Sequence, residues 1–437
     1  MTATPAPLIE PIADSEFTEF GAALAPTLVG RRILIIVENL PVPFDRRVWQ
    51  EACTLRDAGA SVTVICPMDG KTDRRSEVLD GIQVYRHPMP KEGDGALGYL
   101  IEYATALFWE SALALWVFLR KGFDVIQGCN PPDLIFLVAL PYKLFGKKYV
   151  FDHHDINPEL FEAKFRRRGV FWRMLRFVER LTFACADLSI ATNESYRRIA
   201  IERGCMKPED VFVVRSGPDL RRVRRVPENT AWRKGRRFLV GYVGVMGEQE
   251  GIDLLLEAAR HAVFDLGRND IQFCVVGGGP SLPNLKEMSQ QMGLEAYVTF
   301  TGRAPDADLL EILSTADVCV NPDRVNEMND KSSMNKIVEY MALGKPILQF
   351  DVTEGRHSAA EASLYAKAND PIDFAQKLIE LLDDSERRRR MGRIGLHRVE
   401  NELSWEHQKP KLVAAYERLF RIAGQGAVEP ERLRRSN

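Results

Sequence analysis

The chain has no CxxC pair and no His/Cys group at zinc-like spacing. Its seven cysteines, Cys53, Cys66, Cys129, Cys185, Cys205, Cys274 and Cys319, are scattered, mostly among apolar neighbours. That pattern excludes a disulfide scaffold and a structural zinc site, and reads as reduced core thiols in a cytosol. A basic excess is missing as well. With 59 Lys and Arg against 61 Asp and Glu, the formal net charge is -2, which excludes a general nucleic-acid binder. The opening MTATPAPLIEPIADSEF is acidic and Pro-rich where an export signal is basic and then apolar, so a loose leader is expected there and not secretion. One segment, Tyr99 to Leu119, has the length to span a bilayer. Glu102 and Glu110 interrupt it, so a helix packed on a sheet is expected and no transmembrane helix.

What is present is the texture of a globular α/β protein, 45% hydrophobic and 27% charged. A chain of 437 residues exceeds one ordinary core, so two domains are expected. After a loose leader (1–30), a first series (31–218) alternates short apolar strands, as in RILIIV, SVTVICP and DVIQG, with helices of ten or more residues. A basic linker without apolar periodicity (219–237) precedes a second such series (238–404). Alternation of this kind implies βαβ crossovers and mostly parallel, Rossmann-like sheets. A last helix (405–424) has apolar residues at helical spacing and is expected to pack back across the domains, before a frayed tail (425–437).

Open α/β sheets bind ligands beyond the carboxyl ends of their strands, so residues just after strands are the candidates. Gly277, Gly278 and Gly279 follow QFCVV and allow either close backbone approach to a ligand or a plain tight turn. In KSSMNKIVEYMALGKP, Ser332 and Ser333 precede a helix carrying Asn335, Lys336 and Glu339. The serines and free amides suit a diphosphate, Lys336 adds a point charge, and Glu339 suits ribose hydroxyls; simple helix capping with a solvated lysine is the alternative. In YVFDHHDINPE, His153, His154 and Asp155 end an apolar strand and are expected to project into a cleft, where histidine can donate to an oxyanion or a substrate hydroxyl. Arg46 and Arg47, after the first strand, could meet an acceptor phosphate or serve as helix-surface charge. The run KFRRRGVFWRMLRFVER, with Arg166, Arg167, Arg168, Trp172 and Arg173, reads as a basic amphipathic surface for anionic lipid, or as an ordinary solvated helix.

Together these residues resemble the retaining family 4 glycosyltransferases, over roughly Arg31 to Arg421. The marks are ILIIVENLPVPFDRRVWQEA, HHDINPE, VVRSGPD, YVGVMG, VVGGGP, FTG and, most specific, KIVEYMALGKPI. The resemblance implies a B-type fold of two Rossmann-like domains facing a cleft, the first on the acceptor side and the second binding a nucleotide sugar without a metal. It implies that Glu339 holds the donor ribose and that His154, with Asp155, faces the transferred sugar. Departures are local. Lys331 stands where the family has a first glutamate, with Glu327, Asp330 and Asp323 nearby, and Val245 and Glu250 stand where it offers an arginine and a lysine to the diphosphate. Lys331, Lys336 and Arg215 are the cations left to compensate. The expected activity is sugar transfer from a nucleoside-diphosphate sugar to a bacterial cell-surface or exopolysaccharide acceptor, lipid-linked in one version. The expected place is the cytoplasm, with peripheral contact at the anionic inner face of the plasma membrane. A nucleotide-sugar epimerase and a non-catalytic glycan-binding scaffold are the alternatives.

Overall fold

The computed structural model describes residues 24–68, 74–88 and 95–425. Positions 1–23 of the leader, 426–437 of the tail and the side chain of Glu102 lie outside what it describes. The first domain carries β1 (Arg32–Val37), β2 (Ser61–Pro67), β3 (Ser76–Leu79), β4 (Ile82–His87), β5 (Val125–Cys129), β6 (Lys148–His153), β7 (Leu188–Ala191) and β8 (Val211–Val213) in one sheet of order β3-β4-β2-β1-β5-β6-β7-β8. Its helices are α1 (Arg46–Asp57), α2 (Gly95–Arg120), α3 (Phe136–Lys143), α4 (Asn157–Phe165), α5 (Val170–Cys185) and α6 (Glu194–Arg198). Apart from β3, every strand of this sheet pairs in parallel. The exception is a hairpin on β4, turned through Asp80 and Gly81 at φ 46° and 79°. An Asp-Gly pair is the sequence signal for such a turn.

The second sheet joins β9 (Phe238–Val243), β10 (Ile271–Val276), β11 (Val298–Gly302), β12 (Val318–Asn321), β13 (Ile347–Phe350) and β14 (Ser363–Ala366) in the order β11-β10-β9-β12-β13-β14, all parallel. Around it lie α7 (Ile252–Arg260), α8 (Leu282–Gln291), α9 (Asp306–Thr315), α10 (Glu327–Lys331), α11 (Asn335–Ala342), α12 (Thr353–Ala359), α13 (Pro371–Asp383) and α14 (Ser385–Arg398). Both sheets are buried on two faces, which is why strands such as β1 and β10 are continuous apolar runs rather than alternating ones. Strand order reverses between β1 and β5 and between β9 and β12, and ligands of such sheets bind at those reversals.

The last described helix, α15 (Trp405–Gln425), returns to the first domain. Leu412, Val413, Tyr416 and Leu419 join the core beneath α1, and Trp405 Nε1 donates to Thr54 Oγ1 at 3.0 Å. The outgoing chain passes so closely that a Cβ on Gly217 would lie 2.4 Å from the Leu403 carbonyl oxygen. Residues 219–237 lie on the second domain, with Leu220, Val223 and Trp232 packed against its α9 and α11 side. Cys205 is exposed, which corrects its assignment to the core.

No helix among the described residues is long and apolar enough to cross a membrane. Within α2, Glu110 is buried inside the protein, and neither carboxyl oxygen has a hydrogen-bond partner among the described residues. Burial, with Glu38 nearby, pushes its pKa from 4.5 up to about 8. The folded chain therefore keeps a proton that the unfolded chain gives up near pH 4.5, and stability falls as pH rises from there towards 8. Urea midpoints measured at intervals across that window should drop, and Glu110→Gln should flatten the drop by a few kcal/mol. An unchanged slope in the variant would show that another group carries it.

Candidate functional site

The first wall of the cleft starts at α1. Asp45 caps this helix, accepting from the Val48 amide at 3.0 Å, and so fixes the direction in which Arg46 and Arg47 leave it. Arg47 turns inward and is buried. Its Nη1 donates to the Val214 carbonyl at 2.8 Å and to Ser216 Oγ at 3.2 Å. Its Nη2 sits 3.0 Å from both Glu51 Oε1 and Asp152 Oδ1. The expectation that Arg47 meets an acceptor phosphate, or is surface charge, is thereby corrected: two buried carboxylates hold its guanidinium inside the wall.

Gln127 Nε2 donates to Glu51 at 2.7 Å and Asp152 at 3.0 Å, and its Oε1 accepts from the Tyr416 hydroxyl of α15. Burial raises the Glu51 carboxyl, aided by Asp152. Burial also opposes ionisation of Asp152, but Arg47 and His154 outweigh it and hold that carboxyl well below its usual range. One proton and one negative charge are thus divided between the pair, with the charge on Asp152. Glu51, Cys129, Asp152 and His154 offer ligand atoms within 4.8 Å of one another. The positive charge among them is already present as the Arg47 guanidinium, so the donor set does not fit an added cation.

His154 stands at the cleft edge of this cluster, only partly buried. Its backbone N–H donates to Asn130 Oδ1 at 2.6 Å, and its Nε2 lies 2.6 Å from Asp152 Oδ2. That short contact favours the tautomer with hydrogen on Nε2, leaving Nδ1 as the free nitrogen of the ring. With that hydrogen in place Nε2 has no lone pair to accept from Arg47 Nε, 3.0 Å away, so the guanidinium confines the ring from the other side by contact alone. His153 does not reach the cleft. It is buried among Phe151, Phe183 and Tyr196, and burial lowers its pKa to about 3. Asp155 follows His154, its amide also held by Asn130 at 3.1 Å, and burial raises its carboxyl.

The opposite wall is the second switch point. Lys336 Nζ lies 2.6 Å from Glu250 and 2.8 Å from Asp323, the residues that follow β9 and β12. Burial pushes Asp323 up to about 7 against the pull of Lys336. The Lys336 ammonium is thus held between two carboxyl groups and offers no spare charge to a phosphate. Lys331 is similarly engaged, 2.7 Å from Glu327 and 3.7 Å from Glu159. Arg215 lies 3.7 Å from Glu354.

Ser332 and Ser333 do not cap α11; Met334 is its N-cap and makes no side-chain cap bond. Instead the Ser332 hydroxyl pairs with Tyr196 at 3.1 Å and Ser333 Oγ accepts from Asn193 at 3.1 Å, joining the two domains. The α11 amides, from Asn335 onward, are left without a capping side chain. Gly277, at φ 137°, lies where a Cβ would meet the Gly244 carbonyl at 1.8 Å, so its glycine serves contact between the loops after β9 and β10. Gly279 abuts Met246 in the same way, while Gly278 faces open space.

Glu339 meets the first wall directly. Its Oε1 is 3.5 Å from Arg46 Nη1 and 3.6 Å from Arg222 Nη2, and the same two arginines hold Asp306. Burial raises the Glu339 carboxyl and the two arginines oppose that. Arg222, Asp152, Gln127 and Tyr416 were not legible as site residues. The available signals were the polar Gln127 and Asp152 inside the buried strands β5 and β6.

On the outer face, Arg166, Arg167 and Arg173 are exposed, and Phe171, Met174 and Phe177 are about half exposed along α5. Two members of the expected lipid surface are corrected. Arg168 is neutralised by Glu162 and Glu327 at 2.7 Å each, and Trp172 is partly buried between the guanidiniums of Arg168 and Arg176.

Residues 237–384 match the family model described as glycosyl transferases group 1, and residues 45–217 match that of the glycosyl transferase 4-like domain. The α-D-kanosaminyltransferase of Streptomyces kanamyceticus is 30% identical over 159 residues, a stretch covering 36% of this chain and 39% of that protein. The 2-deoxystreptamine glucosyltransferase of the same organism is 25% identical over 377 residues, 82% of this chain and 94% of that protein. Among solved structures, the sucrose-phosphate synthase of Thermosynechococcus elongatus superposes with a TM-score of 0.75 at 19% identity, covering 90% of this chain and 100% of that one.

Proposed function

Because this chain belongs to the family 4 retaining glycosyltransferases, with their two-Rossmann B-type fold, we propose that it transfers a sugar from a nucleoside-diphosphate sugar to a bacterial surface-glycan or exopolysaccharide acceptor carried on a lipid. One observation carries this reading. Consecutive residues at the start of α1 span the cleft, Arg47 bracing His154 on one side and Arg46 reaching Glu339 on the other. A donor laid between the walls would give its ribose to Glu339 and its transferred sugar to His154.

The Arg46 and Arg222 contacts to Glu339 are long and partly exposed, so ribose hydroxyls can replace them at little cost. Once released, the two guanidiniums supply the positive charge that Val245 and Glu250 lack, beside the uncapped amides of α11. In transfer with retention the acceptor hydroxyl attacks on the leaving-group face, and charge growing on the diphosphate is stabilised by those amides and arginines. No metal is assigned a step. The lipid and membrane part of the reading is supported by the exposed basic and apolar face of α5, which suits the inner leaflet of a plasma membrane and a cytoplasmic enzyme.

Thermal unfolding with a panel of nucleoside diphosphates tests the donor site. A nucleotide at a hundred times its dissociation constant should add about 2.7 kcal/mol of stability. Glu339→Ala should lose most of that gain, and Arg46→Ala with Arg222→Ala should lose part of it. No shift with any nucleoside diphosphate would overturn the donor assignment.

A further inference from the structure

Between α4 and the second domain lies a cavity of about 890 Å³. Leu160, Ala163 and Phe165 form its wall on the first domain, and Val245, Ile252 and Met288 face them from the second. It borders the β9–α7 loop through Val245 and Gly247, and none of the α11 residues that face the donor line it. The rest of the lining is mostly polar, with Glu248, Gln249, Asn284, Asn326 and the Arg324–Asp253 pair among it.

The rim continues onto the outer surface. Phe165 packs against Phe161, centroids 4.7 Å apart, and Phe161 against Phe171 at 5.0 Å, the rings tilted in both pairs. Phe171 is 47% exposed and begins the apolar row of α5 that runs on through Met174, Phe177 and Leu181. An unbroken aromatic path therefore joins the cavity to that face. Where it emerges, α4 ends on Arg166 in a left-handed turn at φ 51°, and Arg166 and Arg167 are exposed there. A lining apolar over about half its residues, an aromatic path and a basic mouth suit an amphiphile with a hydrocarbon chain and an anionic head.

We propose that this cavity seats the hydrocarbon chain next to the phosphate of a lipid-linked acceptor, entering from the α5 side and leading its glycan towards His154. The proposal rests on the lipid-acceptor reading above and adds the place where the lipid is held. Val245, an apolar residue where the family offers an arginine, then forms part of the acceptor wall.

Photolabelling of the full chain with a diazirine-bearing decyl phosphate, followed by peptide mass spectrometry, tests it. The label is expected on peptides spanning 157–166 and 281–289, displaced by unlabelled decyl phosphate and not by equimolar inorganic phosphate. Ala163→Trp, which puts an indole into the cavity from the α4 wall, should cut labelling at least tenfold; Phe165→Ser, at a half-exposed position, should do so with little loss of core packing. Label confined to 170–181, indifference to both variants, or equal displacement by inorganic phosphate would overturn the proposal. Sedimentation with phosphatidylglycerol and phosphatidylcholine vesicles separates the two readings. Labelling without a preference for anionic vesicles defeats the membrane reading alone, and such a preference without labelling defeats the cavity.

Discussion

Arg47→Ala is expected to lower stability by about 3–5 kcal/mol, because it leaves the Asp152 carboxylate buried with no cation beside it. In domains of this size that corresponds to a fall in melting temperature of about 10 °C. The guanidinium makes contacts in three directions, to Asp152 and Glu51, to Val214 and Ser216, and to His154. A lysine has a single nitrogen and cannot reproduce that fork, so Arg47→Lys should recover less than half of the loss. Scanning calorimetry of the two variants checks this. If alanine is tolerated within about 1 kcal/mol, the cluster does not hold the wall together.

Asp152→Asn should lower turnover by about a hundredfold or more while changing stability much less. Glu51 can take up the negative charge that Asp152 gives up, so Arg47 keeps a counter-ion. What is lost is the acceptor that holds hydrogen on His154 Nε2, and removing an orienting carboxylate of this kind has a large effect on rate. His154→Ala should cost at least as much. Because the two side chains act as one unit, the double variant should be no worse than His154→Ala alone. Measuring donor turnover for the four proteins decides the point, and losses that multiply would show Asp152 and His154 to be independent.

The sequence displays the strands of both domains because buried parallel strands are runs of apolar residues, as β1 and β9 show. Two strands escaped it. β3 is an edge strand of four residues with only partial burial, and β14 is equally short. His154 was visible from its place after a strand, but its neighbours were not. Arg47, Gln127, Asp152 and Tyr416 lie far apart in the chain, Gln127 and Tyr416 by 289 residues, and converge only through the sheet and α15. Ionic partners were hidden for the same reason. Lys336 and the serines at 332 and 333 looked like free donors, and only the fold reveals Glu250, Asp323, Tyr196 and Asn193 opposite them.

The return of α15 carries a consequence for how the chain is made. Residues 31–218 emerge from the ribosome long before Trp405, Leu412, Val413 and Tyr416, yet those four side chains belong to the core under α1. Until they arrive the first domain lacks one face of its packing, and Gln127 lacks the Tyr416 hydroxyl. A nascent chain halted before Trp405 therefore exposes an unfinished groove and holds His154 in an incomplete cage. On this packing the wall around His154 is expected to stay unassembled until the second domain and α15 have been synthesised.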